Sequence, residues 1–307
     1  MVNKGVKLYM LSDNPRLGYL ALALTVLLFS TLELISKTIT YSIHPLQINF
    51  VRFLAAGLIM LPLVLASMSR KKQVISPGDL FKISLLGIIN VTFSISLLHL
   101  SLMYINASLV AVLFCTNPIF ANLFDRLIYR QHLSPLKLAG LFLGVAGILS
   151  IFYTEIFFQS TNLTGILAAL LSAAGYGLYI VLAKSTADKL GGMVVNCFSF
   201  IIGAVFLMPV LLAMKIPLLR FDISLLPQML YITIMLTIAA YVLFLYGLKF
   251  LPAGAGSLIF FAKPPLAILW AFLFLQEGIT LSFVLGSLII MSGIGIYNYD
   301  LFKKASN

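Results

Sequence analysis

Long apolar runs separated by short polar stretches dominate the chain. A helix needs roughly 20 mostly apolar residues to cross a bilayer, and ten runs of this kind can be traced. We number them spans 1 to 10, at residues 17–37, 45–66, 80–103, 106–125, 136–153, 163–184, 193–214, 226–248, 252–275 and 280–299. The pattern predicts an all-α integral membrane protein with ten transmembrane helices.

The polar stretches between spans carry turn-forming residues or charge. "SMSRKKQVISPGD" separates spans 2 and 3, "YRQHLSP" separates spans 4 and 5, and "FFQSTN" separates spans 5 and 6. The connection near Ile105 and Asn106 is very short. It predicts that spans 3 and 4 form a tight antiparallel pair.

The composition indicates that hydrocarbon is the main solvent of the folded chain. Hydrophobic residues make up 61% and charged residues 9%, with a mean hydropathy of +1.09. A soluble domain is about half apolar and about a quarter charged. The net charge of +11 could suggest a nucleic-acid partner. We expect none, because so few charges on so long an apolar chain cannot form a basic face.

The Lys and Arg residues indicate the orientation of the chain. With the N-terminus inside, 15 of the 20 fall on the inner side: Lys4, Lys7, Arg16, Arg70, Lys71, Lys72, Lys82, Arg126, Arg130, Lys137, Lys184, Lys189, Lys249, Lys303 and Lys304. Cytoplasmic loops are enriched in these residues. We therefore expect residues 1–16 and 300–307 to be cytoplasmic tails and the chain to lie in the cell (plasma) membrane.

The two halves of the chain repeat each other. At an offset of 146, "LMYINASLVAVLFCTNPIFANL" aligns without a gap with "LKFLPAGAGSLIFFAKPPLAIL". The identities that carry most weight are Pro118 with Pro264, Gly140 with Gly286, Gly147 with Gly293 and, at an offset of 147, Gly18 with Gly165 and Lys37 with Lys184. The repeats cover residues 17–153 and 163–299.

Each repeat holds five spans, and an odd number forces the second copy to run inverted through the membrane. Inverted repeats with interrupted helices are typical of secondary transporters, whose binding site lies near the membrane midplane between the repeats. The pattern therefore predicts transport.

Short motifs stand at matching places in the two halves, apart from Arg52 and Glu277, which occur in one half each. They are Phe29-Ser30-Thr31 with Lys37 and Tyr176-Gly177-Leu178 with Lys184 in spans 1 and 6, Arg52 in span 2, Pro118-Ile119-Phe120-Ala121 and Pro264-Pro265-Leu266-Ala267 in spans 4 and 9, and Glu277 before span 10, where the first half has Gln131. Together with the five-plus-five duplication, they resemble the EamA-like branch of the drug/metabolite transporter superfamily.

The resemblance implies a secondary carrier for small metabolites or drugs, often an exporter, with a central cavity lined by both repeats. One position departs from the family pattern. An apolar or acidic residue often precedes the proline of the second half, and here that residue is Lys263.

Lys263 lies near the middle of span 9, too deep for its ammonium group to reach water easily. Pro264 and Pro265 follow it, and both lack the N–H that a helix needs, so the helix should break there. The Lys263 ammonium contacts an anionic group of the substrate, contacts a counter-charge whose state changes during the transport cycle, or is permanently paired as a structural element.

Asn117 is the repeat partner of Lys263 and precedes Pro118, the matching helix break in span 4. With Thr116, it is a candidate for the cavity wall. The alternative is that both side chains form hydrogen bonds between packed helices.

Glu33, Lys37 and Arg52 are the charged residues predicted in the outer third of the bundle. Glu33 and Lys37 stand four residues apart and could form an ion pair along one helix. Alternatively, Glu33 and Arg52 gate the outer mouth, or Glu33 exchanges a proton. We assign all three to coupling or gating.

Further polar side chains within spans are cavity candidates. A buried Tyr hydroxyl needs a partner, and side chains of this kind either line a cavity or only pack: Tyr176, Tyr179, Tyr241, Tyr246, Asn90 and Ser94. His99, near the outer end of span 3, is either a proton sensor or part of the interfacial packing.

Nothing in the chain indicates catalysis or a cofactor. Cys115 and Cys197 fall within spans and are expected as reduced thiols, and the three histidines show no metal-ligand spacing with them. No Walker-type phosphate loop is present. We expect neither an enzyme nor an ATP-driven pump.

Three hypotheses follow from the sequence. The leading one is a secondary transporter of a small organic metabolite, with an amino acid or organic anion favoured and export expected, working by alternating access around a midplane site. The second is a proton-coupled exporter of hydrophobic or cationic drugs, and the third is a membrane scaffold without transport. Expected partners are the substrate, a proton or exchanged metabolite, and membrane lipid, with the chain a monomer or weak homodimer.

Overall fold

The structure is a computed structural model of the chain, and it describes residues 15–32, 35, 43–105, 107–153, 162–219, 222–275 and 280–305. The regular structure of these residues is helical, with no strand among them. The prediction of an all-α chain is confirmed.

The helices follow the predicted spans closely. The first half contains α1 (Pro15–Ser30), α2 (Pro45–Lys71), α3 (Pro77–Gly87), α4 (Ser96–Ser101), α5 (Ala107–Phe114), α6 (Asn117–Tyr129) and α7 (Pro135–Ile151). The second half contains α8 (Leu163–Leu190), α9 (Gly192–Ala213), α10 (Leu226–Tyr231), α11 (Ala240–Leu248), α12 (Ala253–Ser257), α13 (Lys263–Leu275) and α14 (Leu281–Ala305).

Most of these helices form segments suited to a bilayer. Seven stretches of the described residues are long and apolar enough to cross a membrane: Pro45–Lys71, Pro77–Ser101, Leu109–Tyr129, Leu163–Leu190, Gly192–Ala213, Ile223–Leu248 and Leu281–Tyr299. Two further helices, Arg16–Ser30 and Pro135–Ile151, are apolar but shorter. Span 9 is divided into shorter pieces. The total of ten crossings stays a prediction.

Two spans begin with the same local signal at the predicted inner side. Ser76 and Ser134 each precede a proline in the first turn, and the Oγ atoms accept hydrogen bonds from the N–H groups of Asp79 (3.2 Å) and Lys137 (3.3 Å). Serine at the N-cap satisfies a free helix N–H, and proline in the first turn has no N–H to satisfy. The Ser-Pro pairs therefore explain where α3 and α7 start.

Spans 3 and 8 each contain a π-helical segment. The segments are Ile88–Ile95 and Ile232–Ala239, whose starts differ by 232 − 88 = 144 residues, close to the repeat offset. A hydroxyl group in or directly after each segment donates to the carbonyl five residues earlier. Ser96 donates to Val91 and Thr237 donates to Ile232, both at 2.9 Å. π-helical turns are rare and are frequent at functional sites.

Spans 4 and 9 are interrupted at matching positions. In span 4, α5 ends at Phe114 and α6 restarts at Asn117, with Pro118 in the first turn. In span 9, a 3₁₀ segment, Leu258–Ala262, separates α12 from α13, which restarts at Lys263. The restarts differ by 263 − 117 = 146, the repeat offset. Both halves thus change helix geometry immediately before their prolines.

Glycines join α7 to α14, the last spans of the two halves. A Cβ atom built on Gly140 would lie 2.6 Å from the Gly293 carbonyl oxygen, and one on Gly147 would lie 2.7 Å from that of Gly286. At the repeat offset of 146, Gly140 corresponds to Gly286 and Gly147 corresponds to Gly293, so each contact is the repeat counterpart of the other. Such an exchange is the pattern expected of two antiparallel helices related by a two-fold axis, and it supports an inverted repeat.

Other contacts between the halves follow the same exchange. Helix α1 packs on α11, which is span 1 on span 8, and α8 packs on α4, which is span 6 on span 3. Helices α2 and α9, spans 2 and 7, pack on each other. The largest cluster of buried hydrophobic residues contains residues from both halves, so this apolar core lies between the repeats.

Candidate functional site

A cavity lies between the two halves and encloses about 30 Å³ of free volume. Its walls come from α1, α2, the end of the first π segment, α4 and α5 in the first half, and from α8, the second π segment, α11, the 3₁₀ segment and α13 in the second. The lining residues are Phe29, Leu32, Arg52, Ile95, Leu98, Phe114, Tyr176, Leu236, Tyr241, Phe260 and Lys263.

Arg52 is the charged residue that the first half contributes to this wall. Its side chain is 4% exposed, and its guanidinium carbon lies 4.7 Å from the centre of the Phe53 ring. Among the described residues, no hydrogen-bond partner is found for its Nε. A buried charge is costly unless it is paired and hydrogen-bonded. The geometry therefore suits an anion brought from outside.

Lys263 is the charged residue that the second half contributes. Its side chain is 5% exposed, and its Nζ lies 6.0 Å from the centre of the Phe114 ring. It occupies the first position of α13, where the helix restarts.

Aromatic rings form a continuous surface between the two cations. Phe260 is central, with its ring centre 5.3 Å from that of Tyr176, 5.9 Å from Phe29 and 5.5 Å from Phe244. The Phe29 ring meets the Tyr241 ring edge-on at 5.4 Å. Such a surface accepts a flat apolar group, while the tyrosine hydroxyls supply polar contacts.

Three predicted cavity residues lie behind this wall and support it. The Tyr241 hydroxyl donates to Asn90 Oδ1 at 3.5 Å, a long hydrogen bond. Ser94 donates to the carbonyl of Ser172 at 2.8 Å, which ties span 3 to span 6. Tyr179 is fully buried, and its hydroxyl lies 3.4 Å from Asn196 Oδ1. Asn90, Ser94 and Tyr179 are absent from the cavity lining.

Thr116 and Asn117 serve the helix break in span 4. Thr116 Oγ1 donates to the Leu113 carbonyl at 2.6 Å, and Asn117 Nδ2 donates to the Phe114 carbonyl at 2.9 Å. Asn117 thereby satisfies the Phe114 carbonyl, for which Pro118 offers no N–H, whereas the Leu113 carbonyl accepts from both the N–H and the hydroxyl of Thr116. Both residues adjoin the lining through Phe114 and do not themselves belong to it.

The remaining predicted site residues lie elsewhere. Tyr246 packs against Phe250, with ring centres 5.6 Å apart, and is not part of the lining. Glu33 and Lys37 fall outside the described residues. Arg52 lies in the same cavity wall as Lys263, and its role at an outer gate stays a prediction.

A polar network that the sequence analysis did not identify joins the halves on the predicted inner side. Asn122 Nδ2 donates to the carbonyls of Pro118 (2.8 Å) and Gly254 (3.2 Å), and its Oδ1 accepts from the Tyr297 hydroxyl. Asp125 is 7% exposed and accepts from the Gly254 N–H at 3.3 Å. No pattern in the sequence indicates this network, because it depends on how the helices that carry Asn122, Asp125, Gly254 and Tyr297 pack against one another.

The described residues offer no metal-ligand cluster, since no three His, Cys, Asp or Glu side chains converge there. Cys115 and Cys197 are both buried free thiols. The arrangement that stands out chemically is the cavity with two cations and an aromatic surface.

Comparisons with known proteins agree with this architecture. Residues 16–153 and 163–299 match the EamA-like transporter family. An uncharacterized transporter of Clostridium kluyveri is 31% identical over 297 residues, which cover 94% of this chain and 95% of that protein. An uncharacterized transporter of Archaeoglobus fulgidus is 26% identical over 281 residues, which cover 90% and 95%.

A solved crystal structure has the same fold. It superposes with a TM-score of 0.76 at 18% sequence identity, covering 94% of this chain and 99% of that one. This likeness concerns the fold alone. The family match spans nearly all of both halves, and the Clostridium relative is similar along its whole length. The chain therefore belongs to the EamA-like transporter family.

Proposed function

We propose that this protein is a secondary carrier for a small organic metabolite with a carboxylate or another acid group, such as an amino acid or organic anion. It exports the metabolite across the plasma membrane by alternating access. The observation that carries the proposal is the cavity between the halves, whose wall holds Arg52 and Lys263.

The charge of the wall supports an anionic substrate. Both cations are at least nine-tenths buried, and both lie in the wall of the same cavity. An arginine guanidinium matches a carboxylate with two parallel hydrogen bonds. The same charges oppose a cationic drug, and the drug-export hypothesis depends on Glu33, which lies outside the described residues.

The size of the cavity supports a site that opens and closes. A volume of about 30 Å³ holds about two water molecules, whereas sites for small molecules usually measure roughly 300–1,000 Å³. The halves must separate before a metabolite can enter. The interrupted spans 4 and 9 and the π segments of spans 3 and 8 supply places where the helices can change shape.

Ten spans in two inverted repeats, with both termini cytoplasmic, complete the proposal. Rocking of one half against the other exposes a midplane site to each side in turn. Membership of a transporter family counts against the scaffold hypothesis.

The first test uses benzoate as an anionic probe and benzamide as its neutral analogue. We expect benzoate, and not benzamide, to raise the thermal unfolding temperature of the purified protein. Arg52→Gln should weaken benzoate binding by about tenfold or more, because a hydrogen bond to a charged group contributes roughly 1.5–3 kcal/mol. Arg52→Lys keeps the charge but loses the two-point geometry, so its loss should be smaller.

Lys263→Met tests the second cation, and Lys82→Met is its control because Lys82 is exposed outside the cavity. We expect only Lys263→Met to weaken benzoate binding. A panel of metabolites sorted by charge then identifies candidates for uptake into proteoliposomes. Equal stabilisation by neutral and acidic compounds, unchanged in Arg52→Gln and Lys263→Met, would contradict the proposal.

A further inference from the structure

His99 is a buried histidine that the proposed binding site does not use. Its side chain is 5% exposed, and neither ring nitrogen finds a hydrogen-bond partner among the described residues. A neutral imidazole has one donor and one acceptor, and buried polar groups are nearly always hydrogen-bonded. Two unmatched nitrogens in one ring require an explanation other than packing.

The position of His99 connects it to the cavity. It lies in α4, next to Leu98 and four residues after Ile95, and both of these residues line the cavity. Residues four apart share one helix face, so His99 lies on the cavity side of α4, behind the lining. Helix α2, which carries Arg52 and is preceded by His44, packs on α4.

The other elements packed on α4 bring few ionisable groups to this region. Helix α8 contributes Tyr176 and Tyr179, which are uncharged near neutral pH, and its Lys and Asp residues lie in its last two turns. The first π segment and the described part of α5 carry no ionisable side chain. Among the described residues, Arg52 is therefore the fixed charge that His99 faces.

We propose that His99 takes up a proton when the substrate's acid group binds at Arg52, so that the carrier moves an organic anion together with a proton. This inference rests on the proposed function, because it needs an anion at Arg52. An unoccupied Arg52 repels a proton on His99, and in a poorly polar interior this repulsion is strong. A bound anion cancels much of that charge, so anion binding and protonation favour each other.

The coupling is reciprocal and its charge balance is simple. If the anion promotes protonation, the proton promotes anion binding by the same factor. The proton comes from bulk water to the lone pair of one ring nitrogen and returns to water after the site opens on the other side. A monoanion and one proton cross with no net charge. Net efflux then follows when the product of the anion and proton concentrations is larger inside the cell than outside.

Calorimetry of benzoate binding tests this coupling on the purified full chain. Titrations near neutral pH in two buffers with different heats of ionisation report how many protons the complex takes up. We expect uptake approaching one proton per bound benzoate, and an affinity that rises by up to about tenfold for each unit of falling pH. His99→Gln should bind benzoate without proton uptake and with an affinity independent of pH.

Two histidine variants serve as controls. His132→Gln removes an exposed histidine from the predicted inner side and should retain proton uptake. His44→Gln removes the neighbouring histidine and should also retain it. Loss of uptake in His44→Gln with full uptake in His99→Gln would overturn the assignment of the proton to His99.

A measurement on the unaltered protein covers the case in which His99→Gln does not fold. Nuclear magnetic resonance of isotope-labelled histidine should show one buried ring becoming protonated as benzoate is added. Benzoate binding without proton uptake would overturn the coupling and leave the proposed anion carrier intact. No binding of benzoate at all would count against both.

Discussion

Arg52 and Lys263 come from opposite halves of the chain and lie in the wall of one cavity. Each is a buried cation in a segment rich in apolar residues, where a charge is rare and expensive. Neither position repeats in the other half, since Asn117 corresponds to Lys263. Both halves contain the helix breaks, whereas each of the two charges occurs in one half only. The proposed function therefore assigns substrate choice to residues that differ between the halves.

Asn122 is the residue that joins three helices on the predicted inner side. It contacts the backbone of α6 and α12 and accepts from Tyr297 of α14. Tyr297 is 3% exposed, so its hydroxyl has little access to water. In the sequence, Asn122 and Tyr297 are two polar residues 175 positions apart, and no pattern connects them.

Replacing Tyr297 with Phe should lower the free energy of unfolding by about 1 kcal/mol. The change removes one buried hydrogen bond and leaves Asn122 Oδ1 without its donor. Thermal unfolding of the purified protein measures the effect. Tyr299→Phe is the matched control on the same helix, because Tyr299 is 57% exposed. Equal unfolding temperatures for the two variants would contradict this role of the Tyr297 hydroxyl.

At the scale of the element, glycine decides how closely α7 and α14 approach. A Cβ atom on Gly293 would lie 2.7 Å from the Gly140 carbonyl oxygen and 2.9 Å from the Gly144 nitrogen. Both neighbours are backbone atoms, which cannot turn aside as a flexible side chain can. Small residues permit such close helix packing in membranes.

Gly293→Ala should destabilise the protein by about 1–3 kcal/mol, the usual cost of overpacking. Gly295→Ala is the matched control two residues further along α14, where an added Cβ would meet nothing within 4 Å. The control should be neutral or stabilising by about 0.5–1 kcal/mol, since alanine favours a helix more than glycine does. Thermal unfolding compares them. A Gly293→Ala protein as stable as the control would refute the close contact.

The sequence predicted several of these elements correctly. The apolar runs indicated the helices, and the repeated prolines indicated breaks that the structure contains at Asn117 and Lys263. It did not predict the π segments, since "IINVTFSI" and "ITIMLTIA" look like ordinary apolar helix. A π turn depends on hydrogen bonds five residues apart and on packing partners, and neither leaves a clear pattern of hydrophobic positions.

At the scale of the molecule, polar contacts close the predicted inner side between the halves. Lys189 at the end of α8 lies 2.6 Å from Asp79 near the start of α3. Gln73, just after α2, donates to the Leu190 carbonyl at 2.9 Å. These contacts must break if the halves separate on that side, so they favour the closed state.

Asp79→Asn and Lys189→Gln should each lower the unfolding temperature, and the double variant should lower it by less than the sum. Residues that act as a pair show such coupling, whereas independent sites add. The effect should shrink in high salt, because Lys189 is 61% exposed and salt screens its charge. Asp188→Asn, which removes the Lys184–Asp188 pair within one helix, should change little, because Asp188 is 46% exposed. Additive losses of stability for the Asp79 and Lys189 variants would argue against a stabilising ion pair between the two residues.

Local chemistry explains what the sequence by itself determined. Apolar runs must form helices in hydrocarbon because every backbone polar group needs a partner within the chain. The repeated Pro and Gly positions mark the breaks and close contacts because those residues act on their own backbone. These features established the helical class, the duplication and the resemblance to a transporter family.

The tertiary structure alone decided which side chains meet. It placed Arg52 in the cavity wall with Lys263, buried Asp125 against Gly254, and gave the His99 ring nitrogens no hydrogen-bond partner among the described residues. A linear pattern shows that a residue is polar and near mid-span, but the direction of its side chain depends on how the helices rotate and pack. The proposed binding site is formed by residues that lie far apart in the sequence, so only the folded chain defines it.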